Sequence, residues 1–333
     1  MRHYSIILTL ILLAATFGML MAQGNLGQSG ANFLQIAVEP RGAALGGGGV
    51  ALAEGAAALY WNPAGAIYTE NFDINLSYTN WFLDTKLAYG AVTKNFGSLG
   101  TFGLSVTSFY MDDMEITTVY ASEGTGEYYT AGDIAIGLSY ARSLTDRFTF
   151  GVTAKYVQEK IWNETANQIA LDIGSLYKTD FYNLRIGMSV RNFAGKMKFS
   201  GDDIDQRIKE EEERQQAGNP RIERLTPEFR LPQTFQLGVA FDPITAENWN
   251  LTFISDVDVP NDNEERVIFA MEYEFQNFAY LRGAYRLNYD EGSYSLGGGL
   301  DIKLSGVNSR LDYSFSTHGL LGDVHRFGFG ISL

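Results

Sequence analysis

The sequence predicts an all-β protein, a transmembrane antiparallel β-barrel of about 14 strands with an N-terminal plug segment. In the last nine residues, His325–Leu333, large apolar side chains alternate with Gly and Ser. Alternation places one set on each face of a strand, and a small uncharged second face suits a crowded barrel lumen. Similar alternating segments precede this one, and an apolar stretch stands at the start of the chain.

Residues 1–22 have the composition of a secretory signal peptide. Arg2 and His3 form a basic start, and an almost unbroken apolar run extends from Ile6 to Met21. This order is typical of an export signal. Leu20 is a weak residue for the position three before cleavage, so a retained anchor helix is the alternative. No other stretch approaches the roughly 18 apolar residues of a membrane helix, so a mature membrane protein would have to be a closed barrel.

Residues 23–69 do not alternate and are rich in Gly and Ala. Such small residues suit a segment packed inside the barrel, and we expect residues 24–66 to lie in the lumen near the periplasmic mouth. Asn62-Pro63 predicts a turn ahead of the first strand. The Gly run lacks the Gly-Lys-Ser/Thr ending and the glycine spacing of nucleotide-binding loops.

The remainder, 70–333, repeats one pattern of alternating residues followed by a turn. Predicted strands are 71–80, 85–96, 98–110, 131–142, 147–159, 166–178, 183–195, 232–242, 248–259, 265–275, 278–288, 292–303, 307–317 and 324–333. Every second connection is short, whereas the other set contains both long loops, 111–130 and 196–231. Barrels place short turns on the periplasmic side and long loops outside, and an even strand count puts both termini on the periplasmic side.

Ionisable residues recur on the second face of the predicted strands. They are Asp172, Asp256, Glu272, Arg282, Asp301 and Asp312. A charge facing lipid at the bilayer centre costs about 2–4 kcal/mol for Arg or Lys, and less for Asp or Glu. The lumen is therefore the expected place for these side chains. Trp81, Trp162 and Trp249 lie near strand ends, as interfacial girdle residues do.

Composition excludes several classes of protein. The net charge of −14 argues against nucleic-acid binding, and the absence of Cys excludes disulfides and thiolate metal sites. His318 and His325 flank the last loop, where solvated residues are commoner than a metal pair. The oxygen-rich run Asp256–Glu265 lacks the glycine and spacing of an EF-hand, although a structural Ca²⁺ site stays the alternative. We therefore expect no catalytic, cofactor or metal site.

The two long loops are the candidate binding elements. Loop 111–130 carries Tyr120, Tyr128 and Tyr129, and aromatic residues of this kind are enriched at interfaces. Loop 196–231 carries a charged, helix-favouring stretch with Arg207, Lys209 and Arg214. A solvated loop with a short helix and a partner-docking element are both compatible with this composition.

Two motifs carry a family resemblance. They are Arg41-Gly42-Ala43-Ala44-Leu45-Gly46-Gly47 and Leu59-Tyr60-Trp61-Asn62-Pro63-Ala64-Gly65. Together they resemble the N-terminal signature of the PorV/PorQ family, which is related to the FadL fatty-acid channels. The likeness extends through Gly151–Tyr156 and Ala170–Gly174 to the last strand.

The resemblance implies a FadL-like barrel of 14 strands in the outer membrane of a Gram-negative-type envelope, with an N-terminal plug. It also implies an accessory role in type IX secretion, in which the barrel binds secreted cargo and delivers it to surface-attachment proteins. A FadL-like channel that takes up hydrophobic molecules through the lumen is the alternative, and a purely structural membrane protein is a third.

Overall fold

Fourteen antiparallel strands close into one barrel in the structure, a computed structural model that describes residues 27–201, 204, 226–289, 292–304 and 306–333. The predicted signal peptide lies outside the described residues. The barrel strands are β1 Phe72–Asn80, β2 Lys86–Asn95, β3 Thr101–Tyr110, β4 Ala131–Ser143, β5 Phe148–Ile161, β6 Glu164–Lys178, β7 Arg185–Ala194, β8 Thr234–Thr245, β9 Trp249–Pro260, β10 Arg266–Phe275, β11 Ala279–Leu287, β12 Tyr294–Leu304, β13 Val307–Thr317 and β14 Asp323–Ser332. Pairing of β1 with β14, with Asp73 opposite Ser332, closes the barrel.

The predicted fold class and strand order are confirmed, since each predicted strand overlaps one barrel strand. The largest shifts at strand ends are at β3, which begins at Thr101, and at β8, which continues to Thr245. A β-bulge between Phe241 and Ile244 changes the register there. The bulge interrupts the two-residue period, so the alternation pattern ended the predicted strand too early.

Side chains alternate between the two faces of the wall. Outward residues are large, apolar and exposed, with Leu138 at 63% and Ile169 at 67%. Inward residues are small or polar and buried, as Thr153 and Gln236 are. β14 follows the same rule, because Phe327 is exposed and its neighbour Arg326 is buried. The apolar outer face is the one that lipid covers in a membrane barrel.

The barrel has two unlike ends. We call the end with loops 111–130 and 195–233 the long-loop rim and the opposite end the short-turn rim. Each long loop contains a two-residue strand pair, Met114–Glu115 with Tyr128–Tyr129 and Lys196–Met197 with Phe229–Arg230. Strands this short contain no alternation, so the sequence pattern did not reveal them.

The N-terminal segment, residues 27–69, crosses the barrel lengthwise. Its helices are α1, Pro40–Ala44, and α2, Ala58–Trp61, with 3₁₀ turns at Asn32–Gln35, Gly55–Ala57 and Pro63–Tyr68. Among the described residues, no helix has the length and apolar character to span a bilayer.

This path differs from the expected position near the periplasmic mouth. The Gly27 N–H donates to the Asp262 carbonyl at the long-loop rim (3.2 Å), whereas the Ala56 N–H donates to Asp73 at the short-turn rim (2.9 Å). The two ends of the barrel sheet share one rim, but the described start of the chain lies at the other. Apolar contacts of Phe33 and Leu34 hold it there.

Candidate functional site: the lumenal segment and the long-loop rim

Inward glycines of the wall make room for the N-terminal segment. A Cβ atom added to Gly174 would lie 2.0 Å from the Asn62 Oδ1 atom, and one added to Gly151 would lie 2.4 Å from the Ala64 nitrogen. The same close approach recurs where Gly187 meets Ala51, Gly238 meets Val50, Gly297 meets Ala44 and Gly328 meets Pro40. We call these wall residues the glycine sockets. Since they occur on strands all round the barrel, the segment is fitted to the whole wall.

Asn62 joins two parts of the segment to the wall. Its side chain is fully buried, and its amide nitrogen donates to the carbonyls of Val50 (3.0 Å) and Ser175 (3.1 Å). Its side-chain oxygen accepts from the Ala64 N–H (3.2 Å), which caps the turn that begins at Pro63. A buried amide with three partners holds this turn in a single position.

Arg41 lies in a buried charge network between the segment and the wall. It donates to both carboxylate oxygens of Glu272 on β10 (3.0 and 2.9 Å) and to Glu54 (2.7 Å). Glu272 also pairs with Arg282 on β11, which in turn pairs with Asp312 on β13. The inward charges predicted from alternation face the lumen. Four of them belong to this network, since Asp301 joins it through Arg310 and Glu54.

The other motif residues shape the turn that carries Arg41. A Cβ at Gly42 would lie 2.5 Å from the Trp61 indole, and Gly46 has the left-handed φ of 73°. Leu45 is buried among wall residues. Glu39 caps α1 by accepting from the Gly42 N–H (2.6 Å), and it also accepts from Trp61 Nε1 (2.8 Å).

The acidic run Asp256–Glu265, the calcium alternative, instead binds the N-terminal segment. Asp256 accepts from the N–H groups of Gly49 (2.7 Å) and Val50 (3.0 Å). Asp262 accepts from the Gln35 amide (3.0 Å) and from the Ser29 hydroxyl. Within the described residues, no three His, Cys, Asp or Glu side chains form a group suited to a metal ion.

The two ends of loop 196–231, which we call the bases of the loop, pack against the N-terminal segment. Met197 and Leu231 are buried in one apolar cluster with Phe33 and Leu34. A Cβ at Gly30 would lie 2.2 Å from the Phe229 ring, so the two chains are in close contact. Arg207, Lys209 and Arg214 lie outside the described residues. The two ends of this loop, residues 196–201 and 226–231, form part of the long-loop rim.

Loop 111–130 forms a hairpin that projects at the same rim. Tyr120 is fully exposed, and the neighbouring Val119 is 95% exposed. Tyr128 is 60% exposed, whereas Tyr129 is half-buried and donates to the Met114 sulfur (3.4 Å). Of the three tyrosines singled out in the sequence, two present open surfaces and one supports the hairpin.

The two histidines that flank the last loop face different surroundings. The His325 ring nitrogen shares a hydrogen bond with the exposed Tyr313 hydroxyl (2.7 Å). His318 lies edge-on to Trp81 and Phe82 and lines a lumenal cavity. The girdle position expected for Trp81 is therefore wrong, because its ring packs beside Arg326 in the lumen.

A large apolar groove lies on the lipid-facing exterior. It has a volume of about 1040 Å³, and its walls include Leu76, Leu281, Leu300, Leu311 and Phe329. The lumenal cavity beside His318 has about 160 Å³ and is lined by several arginines. Of these two spaces in the described part of the chain, the one large enough for a long apolar molecule lies outside the barrel wall.

Comparisons with known proteins agree on fold and family. A profile for the type IX secretion system protein PorV matches residues 21–261. The Pseudomonas aeruginosa FadL homologue superposes with a TM-score of 0.56 at 11% identity, over 88% of this chain and 97% of that chain. The Ralstonia pickettii toluene transporter TbuX superposes with a TM-score of 0.55 at 12% identity, over 89% and 97%. No curated protein sequence matches significantly.

Proposed function

The chain belongs to the PorV family of type IX secretion system proteins, and we propose that it binds secreted proteins at the long-loop rim and delivers them at the cell surface. It is a non-enzymatic β-barrel of the outer membrane with the fold of the FadL channels.

The unequal loop lengths at the two rims support an orientation of the barrel in which the long-loop rim faces the cell exterior. Outer-membrane barrels carry short turns on the periplasmic side and longer loops on the outside. We therefore assign the long-loop rim to the cell exterior. The N-terminal segment, tethered through Arg41 and Asn62, would act as a plug that keeps the lumen closed while the rim binds cargo.

The exposed tip of hairpin 111–130 carries the proposal. Val119 and Tyr120 are 95% and 101% exposed, and Tyr128 adds a second open ring. Aromatic side chains outside the membrane are enriched at protein interfaces, where a partner buries them. A secreted protein that covers this tip would remove these apolar surfaces from water.

A pull-down with the purified full-length barrel tests this proposal. Changing Val119 and Tyr120 together to Ser should reduce recovery of secreted proteins that carry a type IX signal domain at least tenfold. The matched control is Leu99→Ser, since Leu99 is 66% exposed at the short-turn rim. Equal recovery by both variants would refute binding at the hairpin tip.

A channel for hydrophobic small molecules is the second candidate, favoured by the shared fold with a FadL homologue and a toluene transporter. It requires a ligand to pass the N-terminal segment in the lumen. Uptake of a long-chain fatty acid by cells producing the barrel, lost in a variant of the Asn62 turn, would support this candidate. Retained cargo capture in that same variant would then separate the two functions.

A further inference from the structure

Four arginines surround one lumenal cavity between the N-terminal segment and the long-loop rim. They are Arg191 on β7, Arg266 on β10, Arg286 on β11 and Arg326 on β14, and the cavity has about 160 Å³. Within the described part of the chain, none of the four forms an ion pair with a carboxylate. Arg41, Arg282 and Arg310, deeper in the lumen, are all paired.

The arginines of the cavity have hydrogen-bond donors to spare. The Nε atoms of Arg191, Arg266 and Arg286 are buried without a partner, and Arg191 is only 9% exposed. Arg326, 3% exposed, donates to the Ala37 carbonyl (3.1 Å) and the Ser316 hydroxyl (2.9 Å). A buried charged donor without an acceptor is costly. Arg286 also donates to the Gly292 carbonyl. Among the described residues, an entering acceptor would therefore satisfy the three Nε–H groups that lack one.

The charge balance of the cavity favours an anion. Among its described lining residues, Asp258 is the one carboxylate, set against four guanidinium groups. Asp258 lies close enough to Arg191 and Arg266 to interact electrostatically with both. Glu39, just outside the lining, interacts electrostatically with Arg326. The positive charge that remains is therefore greatest near Arg286. Burial, followed by Arg286 and Arg326, lowers the pKa of His318 to about 4, so this ring is neutral at physiological pH.

Aromatic rings hold the guanidinium groups in place. Arg191 lies over Tyr60 (5.1 Å) and Trp61 (5.4 Å). Arg266 and Arg286 lie over Tyr289, and Arg326 lies over Trp81. A ring that covers the face of a guanidinium leaves its N–H edge free for an acceptor. The donors are thus arranged before any ligand arrives.

We propose that this cavity binds a small oxyanion, either inorganic phosphate or the carboxylate at a peptide C-terminus. Guanidinium forks match the oxygens of both groups. A volume of about 160 Å³ holds one such group with a few waters, since water occupies about 30 Å³. The site does not depend on cargo binding, so each can fail without the other.

Tryptophan fluorescence of the full-length barrel in detergent tests the proposal, because Trp61 and Trp81 line the cavity. The probes are inorganic phosphate, a short neutral peptide with a free C-terminus and the same peptide amidated, all at constant ionic strength in chloride. We expect a saturable response to phosphate, to the free peptide or to both. Competition between them would show one shared site, and loss of response on amidation would identify the carboxylate.

Arg191→Gln should weaken the response at least tenfold while the barrel stays folded, because removing one of four like charges relieves repulsion. The matched control is Arg147→Gln, which removes the same charge from an exposed pair at the short-turn rim. Arg286→Gln provides a second test if Arg191→Gln misfolds. The proposal is overturned if none of the probes gives a saturable response, or if the cavity variants and the control bind alike.

Discussion

Arg41 donates two hydrogen bonds to Glu272, a residue 231 positions later in the chain, at 3.0 Å and 2.9 Å. The two parallel bonds join α1 in the lumen to β10 in the wall. Both side chains are largely buried, at 17% and 8% exposure. The arrangement is a bidentate Arg–carboxylate pair, the strongest geometry for such a contact. It makes Arg41 the main electrostatic tether of the N-terminal segment.

Arg41→Ala should therefore loosen the segment while the barrel stays closed. Removing one member of a buried ion pair costs about 3–5 kcal/mol. Glu272 keeps Arg282 as a partner, so the lower end of this range applies. The measurements are urea unfolding in detergent and protease cleavage of residues 27–69, which should become faster.

The control is Arg147→Ala, whose pair with Asp180 is exposed and should contribute less than about 1 kcal/mol. If Arg41→Ala and Arg147→Ala unfold alike and protease cleavage is unchanged, Arg41 is not a tether.

The strands could be predicted from sequence because lipid and lumen impose opposite demands on neighbouring residues. Leu138 and Ile169 must be apolar, whereas Thr153 and Asp172 between two such positions need not be. This contrast sets the period at two along every strand. It failed at the β8 bulge, where one extra residue moves the pattern to the opposite face.

The path of the N-terminal segment could not be predicted in the same way, because no periodic demand acts on it. Its position depends on pairs such as Asn62 with Ser175, which are far apart in sequence. One signal was available. Inward positions occupied by Gly, as at Gly151 and Gly174, indicate where the wall must leave room for another chain.

Gly174→Ala should displace the Asn62 turn. The added Cβ would lie 2.0 Å from the Asn62 Oδ1 atom, and the buried turn has little room to move. Overpacking of this kind costs about 1–3 kcal/mol. We expect larger ion currents through single barrels in a planar bilayer, because the segment would fit the lumen less closely.

Gly90→Ala is the matched control, since its Cβ would meet only Leu76 at 3.4 Å on the outer face. Currents through Gly174→Ala that equal those of Gly90→Ala would show that the socket does not hold the segment.

His318 should titrate far below an ordinary histidine. Its pKa is lowered to about 4 by burial and then by Arg286 and Arg326. Because its pKa is lower in the folded state than in the unfolded state, protonation of His318 lowers the stability of the folded protein. The contribution of neutral His318 is complete above the ordinary pKa of about 6.5, and it is lost as the pH falls towards 4.

Histidine NMR in detergent micelles, with His325→Asn to assign the signals, measures the pH midpoint of the His318 titration. Trp81→Ala should raise it, because the ring that shields His318 from water is removed. A midpoint near 6.5 in the unchanged protein would contradict the buried position of His318.

Variants in the ends and in the middle of loop 196–231 should distinguish a contribution to stability from a contribution to partner binding. Leu231 is fully buried against Phe33 and Leu34, so Leu231→Ala should cost about 2–5 kcal/mol of unfolding free energy. Leu281→Ala is the comparison, and its cost should be smaller because Leu281 is 66% exposed on the outer wall. Replacing residues 205–225 by a Gly-Ser linker leaves both bases intact and should not lower stability.

The linker variant should nevertheless lose capture of secreted proteins in a pull-down, since it lacks Arg207, Lys209 and Arg214. The hairpin tip at Tyr120 is unchanged in this variant, so its capture measures the contribution of the charged loop alone. If the linker variant captures cargo as well as the unchanged barrel does, the charged loop is a solvated segment, and docking must be assigned to the hairpin. If the linker variant is instead destabilised as much as Leu231→Ala is, residues 205–225 stabilise the rim. Stability and partner binding would then not be separated between the ends and the middle of the loop.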